Sequence, residues 1–304
     1  MSGFMESWPQ KVFVGTETAW GTAKGPAAAD ALQILEIELN GERAKVFRGD
    51  TIQDRGQKAA HRVLGRYSAD WRVKAYINPN GADTTIVAPD AHDLLYALFG
   101  NYTTTQTAVT YSPKNVWKRG LSIWNINESE DPMYQVEGVV GAIASKGVFT
   151  FGNAELPTLE ISGPAQRRVF MVNDSFFETT VIGAASTYLL NVQNANRFSK
   201  DTWIYFLNEN DTTFTNAGAG YQITSVHRGT TSQRFIEIGP PGIAAAETIG
   251  PDWEIRPLSP TPTTAGAPID SCKGSIQIGG TTTQYYHFIG GTVTFDEKRV
   301  LIND

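Results

Sequence analysis

Apolar and polar residues alternate with a period of two along most of this chain, which predicts strands rather than helices. The clearest stretch runs from Tyr134 to Gly163. An apolar, Gly-containing approach, Val136 to Gly147, leads into two alternating runs. In Val148–Phe151, Phe149 and Phe151 share one face and Val148 and Thr150 the other. In Leu159–Ser162, Leu159 and Ile161 alternate with Glu160 and Ser162, and Gly152, Asn153 and Pro157 supply the intervening turn. Upstream, VFVGTETAWGTAKG reads as a short strand and a loop. Leu32–Leu39 follows as a strand with Ile34, Glu36 and Glu38 on one face and Leu35, Ile37 and Leu39 on the other. Trp71–Ile77 sets Trp71, Val73, Ala75 and Ile77 apart from Arg72, Lys74 and Tyr76, and Asn78-Pro79-Asn80-Gly81 stops it. Ala108–Tyr111, Val116–Trp117 and Leu121–Asn125 are shorter strand-like pieces.

The period changes once. Pro89 at a first helical position, Asp90 and Asp93 in the first turns, the stripe Leu94, Leu95, Ala97 and Leu98, and Gly100 just past the end predict an amphipathic helix against a sheet. His92 is expected on its exposed side.

Near residue 175 the composition shifts. Residues 176–264 read as a small β-unit with strands at Tyr188–Val192, Trp203–Leu207, Tyr221–Val226, Phe235–Ile238 and Trp253–Arg256. It leaves through the stiff segment Pro257-Leu258-Ser259-Pro260-Thr261-Pro262. Residues 265–304 resume the longer strands of the first part, at Gly274–Ile278, Gln284–Ile289 and Thr292–Phe295. Residues 1–175 with 265–304 therefore form one domain and 176–264 an inserted one, with a tandem pair as the alternative. The fold class is all-β with one flanking α-helix.

Composition narrows the function. With 304 residues, 41% apolar and 18% charged, the chain is long and apolar enough to bury a core. A net charge of −6 argues against a dedicated nucleic-acid binder, though not against passive contact with DNA, which an acidic wall would keep from sticking. The lone Cys272 excludes an intrachain disulfide framework and is expected to be a small hydrophobe in a reducing compartment. The amino-terminal MSGFMESWPQK has no signal-peptide pattern, and no run of 18 apolar residues marks a membrane span.

Catalytic chemistry finds no footing. His61, His92, His227 and His287 have no mutual metal spacing. Gly218-Ala219-Gly220 opens a strand rather than a helix and lacks a third glycine, and no Gly-x-Ser-x-Gly occurs. Glu128, Glu130 and Asp131 sit in a turn-like context, as do Asn208 to Asp211, which lack calcium-loop spacing. No catalytic residue, cofactor or metal is expected. Seven tryptophans raise the possibility of sugar binding, but Trp71 and Trp124 lie in strands where core or subunit packing serves equally. Between the strands at 32–39 and 71–77 lies a polar stretch carrying Arg43, Lys45, Arg48, Arg55, Lys58, Arg62 and Arg66, a length and charge that suit an interaction arm or an extended hairpin.

Taken in order, VFVGTETAWGTA, the strand–long loop–strand of 32–77, the helix APDAHDLLYALFG, the segment VEGVVGAIASKGVFTFGNAELPTLEISG and the closing GSIQIGGTTTQYYHFIGGTVTFDEKRVL resemble the tail tube (major tail) proteins of long, non-contractile-tailed bacteriophages. The likeness covers about 1–175 and 265–304, and the 176–264 unit departs from the minimal pattern. It implies a β-sandwich or half-barrel subunit, with the extra β-domain on the outer surface. Six copies would close a ring, and stacked rings would form a virion tail tube that conducts genomic DNA without binding it specifically. It also implies assembly in the host cytoplasm, and as partners other copies of the chain, a tape-measure protein, a tail terminator and distal-tail or baseplate proteins. On this reading the basic arm docks on an adjacent ring, and Glu36 and Glu38 contribute to an acidic lumen. A carbohydrate-binding or adhesin-type tail module, with 176–264 as recognition domain, and a single-ring distal-tail adaptor are the alternatives.

Overall fold

A computed structural model describes residues 10–42, 46–48, 62–64, 68–78, 88–105, 109–114, 120–128, 134–152, 156–173, 182–184, 187–207, 213–214, 218–229, 234–239, 253–262 and 290–296. The first strands are β1 (Gln10–Thr16), β2 (Ala31–Leu32), β3 (Ile34–Glu42), β4 (Val46–Arg48), β5 (Arg62–Leu64) and β6 (Ser68–Tyr76). Helix α1 (His92–Phe99) follows, then β7 (Gly100–Thr104), β8 (Val109–Pro113), β9 (Leu121–Asn127), β10 (Gln135–Ala142), β11 (Lys146–Gly152), β12 (Thr158–Ala165) and β13 (Arg167–Val172). The rest are β14 (Ile182–Ala184), β15 (Thr187–Asn191), β16 (Trp203–Leu207), β17 (Thr213–Phe214), β18 (Tyr221–Arg228), β19 (Arg234–Ile238), β20 (Glu254–Pro257) and β21 (Gly290–Asp296). The fold is all-β with, among the described residues, a single α-helix.

Three antiparallel sheets carry most of it. Sheet A has the order β13-β10-β9-β1-β2 and sheet B the order β21-β11-β12-β6-β3. The third sheet runs β14-β15-β19-β18-β16-β17, with β20 also paired to β16. The chain leaves sheet A after β13, builds the third sheet, and returns to the edge of sheet B as β21.

Sheet A is the middle layer. Val12, Val14, Ile123 and Val139 on one face pack against Trp71, Val73, Leu159 and Ile161 of sheet B and against Leu94, Leu95 and Leu98 of α1. Phe13, Trp124, Ile126, Val136 and Met171 on its other face pack against Phe198, Ile204, Phe206, Ile223, Ile236 and Ile255 of the third sheet and its loops. A strand buried on both faces is continuously apolar instead of alternating. That is why Val136 to Gly147, which reads as an apolar approach, contains a full strand, β10. Gly138 lies under the Trp124 ring, where a Cβ would stand 2.7 Å from the indole.

The third sheet is fastened at its polar rim as well. Arg167 pairs with Asp201 at 2.6 Å, Asn173 Nδ2 donates to Glu254 at 2.8 Å, and Lys11 Nζ donates to Ser259 Oγ, just past β20, at 3.3 Å. Asp201 adopts a left-handed φ of 68°, a conformation that Asp tolerates better than most residues.

Two expectations change locally. The helix begins at His92 with Ala91 as its N-cap, later than Pro89 suggests. Asp90 is instead paired with the buried Asn78, whose Nδ2 donates to it at 3.0 Å, and Asp93 accepts the Thr16 backbone N–H at 3.0 Å. The stop is as expected: Gly100 takes φ 83° and its N–H returns to the Tyr96 carbonyl. In β3 a register shift between Ile34 and Glu36 makes Leu35 the extra residue, 43% exposed. The bulge moves Ile34 to the core side with Ile37, and away from Glu36 and Glu38.

Candidate functional site

The outer face of sheet B is open and polar. Inward-pointing Ala69, Trp71, Val73 and Ala75 of β6 are buried, so Asp70, Arg72, Lys74 and Tyr76 emerge on the opposite side. Because the ladders are in register, the outward residues line up in rows across all five strands. One row reads Glu38, Arg72, Ser162, Lys146, Asp296; the next reads Glu36, Lys74, Glu160, Val148, Thr294. A third is Tyr76, Thr158, Thr150, Thr292.

Arg72 is the hub of this face. Its guanidinium lies 2.6 Å from Glu36, 3.7 Å from Glu38 and 3.9 Å from Glu160. The hydrogen bond to Glu36 raises the Arg72 pKa; desolvation opposes it, and the charges of Glu160, Glu36 and Glu38 add to the rise. With Asp70 and Asp296 the described side chains of this face include five carboxylates, against the three cations Arg72, Lys74 and Lys146. Among the described side chains the face is acidic by two charges but laced with cations.

Glu36 and Glu38 thus share one solvent-facing surface. Sequence reading overlooked the role of Arg72, Lys74 and Glu160, although the alternation in Trp71–Ile77 and Leu159–Ser162 already marked them as outward. Of the basic arm, Arg43, Lys45, Arg55, Lys58 and Arg66 lie outside the described residues. Arg48 and Arg62 face one another as partners in the β4–β5 ladder. That ladder continues the register of the β3–β6 pair: Glu42 faces Ser68, and four residues further out Val46 faces Leu64. The β4–β5 ladder is thus in phase with the β3–β6 ladder.

Both terminal strands of sheet B, β3 and β21, end the sheet among the described residues, and residues 291–296 of β21 are all exposed. On the inner side of β21, Val293 and Phe295 are 40% and 36% exposed. Phe295 meets Phe99 and Phe149 edge-on at 5.0 and 5.7 Å between centroids. The cluster extends over α1 and the β7–β8 hairpin. There His92 stacks at 6.0 Å on Tyr96, meets Tyr102 edge-on at 4.5 Å, and bonds the Tyr111 hydroxyl through Nδ1 at 2.8 Å. His92 is therefore half-buried, because α1 turns it toward the hairpin. Burial lowers its pKa, opposed by Asp93, and burial likewise raises that of Tyr111.

A second group that sequence reading missed is Glu17, which is fully buried. Its Oε1 accepts from Ser122 Oγ and from the Gly141 N–H, both at 2.8 Å, and its Oε2 accepts from the Gly21 N–H at 2.7 Å. Desolvation raises its pKa, opposed by those hydrogen bonds and by Arg167. The carboxylate ties the loop after β1 to β9 and to the end of β10.

Among the described residues no group of three His, Cys, Asp or Glu side chains is arranged to hold a metal ion, and no helix is long and apolar enough to cross a membrane. Ser225, His227 and Glu237 do meet on the third sheet, with Ser225 Oγ 2.9 Å from His227 Nε2 and 2.7 Å from Glu237 Oε2. The Ser225 hydroxyl donates to the Glu237 carboxylate, so His227 Nε2 donates to Oγ and the imidazole is not placed as a base for the serine. Trp71 and Trp124 are buried, and Trp203 packs edge-on against Trp124 at 5.7 Å. These three rings are core, with no platform offered to a sugar.

No protein-family model matches the chain, and no curated protein matches it in sequence.

Proposed function

We propose that the chain is the wall subunit of a bacteriophage tail tube, and that the outer face of sheet B lines the lumen through which DNA passes. The observation that carries this reading is sheet B itself. It is a five-stranded antiparallel sheet, closed on one side by a core and open on the other as rows of charged and hydroxyl side chains, with terminal strands at both edges. An exposed sheet edge is a hazard to a solitary protein and a joint in a ring, where each copy's edge meets its neighbour's and the barrel closes. A net-acidic, hydroxyl-rich wall repels phosphate and offers DNA no fixed cation-only surface on which to stall.

In this reading the chain has no enzymatic role. Its partners are other copies of itself, a tape-measure protein, a terminator and distal-tail or baseplate proteins. The basic arm between β3 and β6, which contains the β4–β5 ladder, docks on an adjacent ring. The third sheet, packed on the far side of sheet A from sheet B, lies on the outside of the tube.

Negative-stain microscopy of the purified chain tests the reading. Hollow tubes, or six-fold rings at low concentration, are expected. Rings that never stack favour a single-ring adaptor. Persistent monomers, with saturable binding of host polysaccharide by the intact chain, would overturn the proposal in favour of an adhesin-type module. Deleting residues 46–62 should leave rings and shorten or abolish tubes, and unchanged tubes would remove the arm's proposed role.

A further inference from the structure

Arg228 closes β18 and Arg234 opens β19, and the register sets them directly opposite one another. They follow Val226 and Ile236 on the core-facing side of this strand pair, just beyond the edge of the core. Like charges facing each other across a strand pair repel. Elsewhere Arg72, Arg167, Arg168 and Arg256 each bind a carboxylate. Arg228 and Arg234 have none among the described residues, in a chain that holds 31 acidic and 25 basic residues.

Each instead donates to a backbone carbonyl of the neighbouring loop, Arg228 Nη2 to Phe198 O at 2.9 Å and Arg234 Nη1 to Gln193 O at 3.1 Å. Those bonds pin one corner of each guanidinium. A guanidinium has five N–H donors, so most of each fork remains uncommitted among the described residues. Two arginines at register-paired positions on one face, without a carboxylate partner among the described residues, offer the free donors of two guanidinium groups to one small anion. A carboxylate would cancel one of the two positive charges, whereas a phosphate dianion or monoester cancels both and has enough oxygens to engage two forks.

We propose that Arg228 and Arg234 form a binding site for a dianionic phosphate group at the exposed end of the third sheet. The site is separate from the face of sheet B and does not depend on tube assembly.

Equilibrium dialysis of the full chain against labelled inorganic phosphate, at ionic strength held constant with chloride, tests it. Saturable binding of one phosphate per chain is expected. The double variant R228Q/R234Q should weaken it at least tenfold, K200Q should leave it unchanged, and acetate should compete poorly. Uptake that never saturates, or a folded double variant that binds as the wild type does, overturns the proposal. Should the double variant not fold, hydrogen exchange on the wild type decides: phosphate must slow exchange in residues 192–198, and exchange indifferent to phosphate also overturns it. Competition with a hexose 6-phosphate separates the sources. Displacement at equal concentration shows that the site accepts an esterified phosphate, and failure to displace restricts it to the free ion.

Discussion

Replacing Trp124 with alanine should loosen the third sheet and sheet A together. The ring is 2% exposed, lies against Gly138 and Trp203, and donates its indole N–H to the Lys24 carbonyl at 2.8 Å. Truncating a buried aromatic costs about 3–5 kcal/mol through lost transfer energy and the cavity left behind. The value here belongs toward the upper end, since Gly138 has no side chain to relax into the hole. The Lys24 carbonyl loses its partner as well, worth about 1 kcal/mol. A total of about 5–6 kcal/mol raises the exchange-competent population by roughly ten-thousandfold. Hydrogen exchange read by mass spectrometry is the suitable assay, because a single unfolding free energy is ill-defined when layers can separate. Peptides from β9 and from β18 and β19 should lose protection by similar factors, since Trp124, Ile223 and Ile236 share one core. Loss confined to β9 and β10, with β18 and β19 unchanged, would refute the shared core and make the third sheet an independent domain.

Other outcomes follow from buried polar groups and close approaches. Glu17→Gln keeps one oxygen for Ser122 and Gly141 but sets an amide NH2 against the Gly21 N–H, and should cost about 1–3 kcal/mol in urea unfolding at neutral pH. Because burial raises the Glu17 pKa above its ordinary 4.5, its ionisation opposes folding as pH climbs through the raised value; the variant should remove that part of the pH profile. His92 acts with the opposite sign. Its folded pKa lies below the ordinary 6.5, so the unfolded chain takes up the proton first and stability falls as pH drops from about 6.5 toward the folded value, a slope that His92→Phe should abolish in thermal melts across that range. Gly163→Ala should destabilise by about 1–3 kcal/mol in the same melts, because its Cβ would run into the Ile143 carbonyl.

Much of the local structure was determined by the sequence alone. The alternation of Trp71–Ile77 and Leu159–Ser162, the strands at Trp203–Leu207 and Phe235–Ile238, and the helix stop at Gly100 each depend on residues within a few positions of one another. Backbone period and turn chemistry are properties of neighbours in the chain, so they are legible there. Glu36 and Glu38 were readable as one face for the same reason. What lay beyond reach depends on residues far apart in sequence. The bulge at Leu35 is set by pairing with Ala75 and Lys74, and only that pairing separates Ile34 from Glu36 and Glu38. The continuous burial of β10 follows from two layers closing over sheet A, one built from β3, β6, α1, β11 and β12, the other from residues beyond 182. Glu17 gathers donors from Gly21, Ser122 and Gly141, and no short motif announces it. Tertiary structure alone brought β21 back to β11, drew Arg72 between three carboxylates, and set Arg228 against Arg234, because strand order and register are chosen by long-range pairing and not by the residues of any one strand.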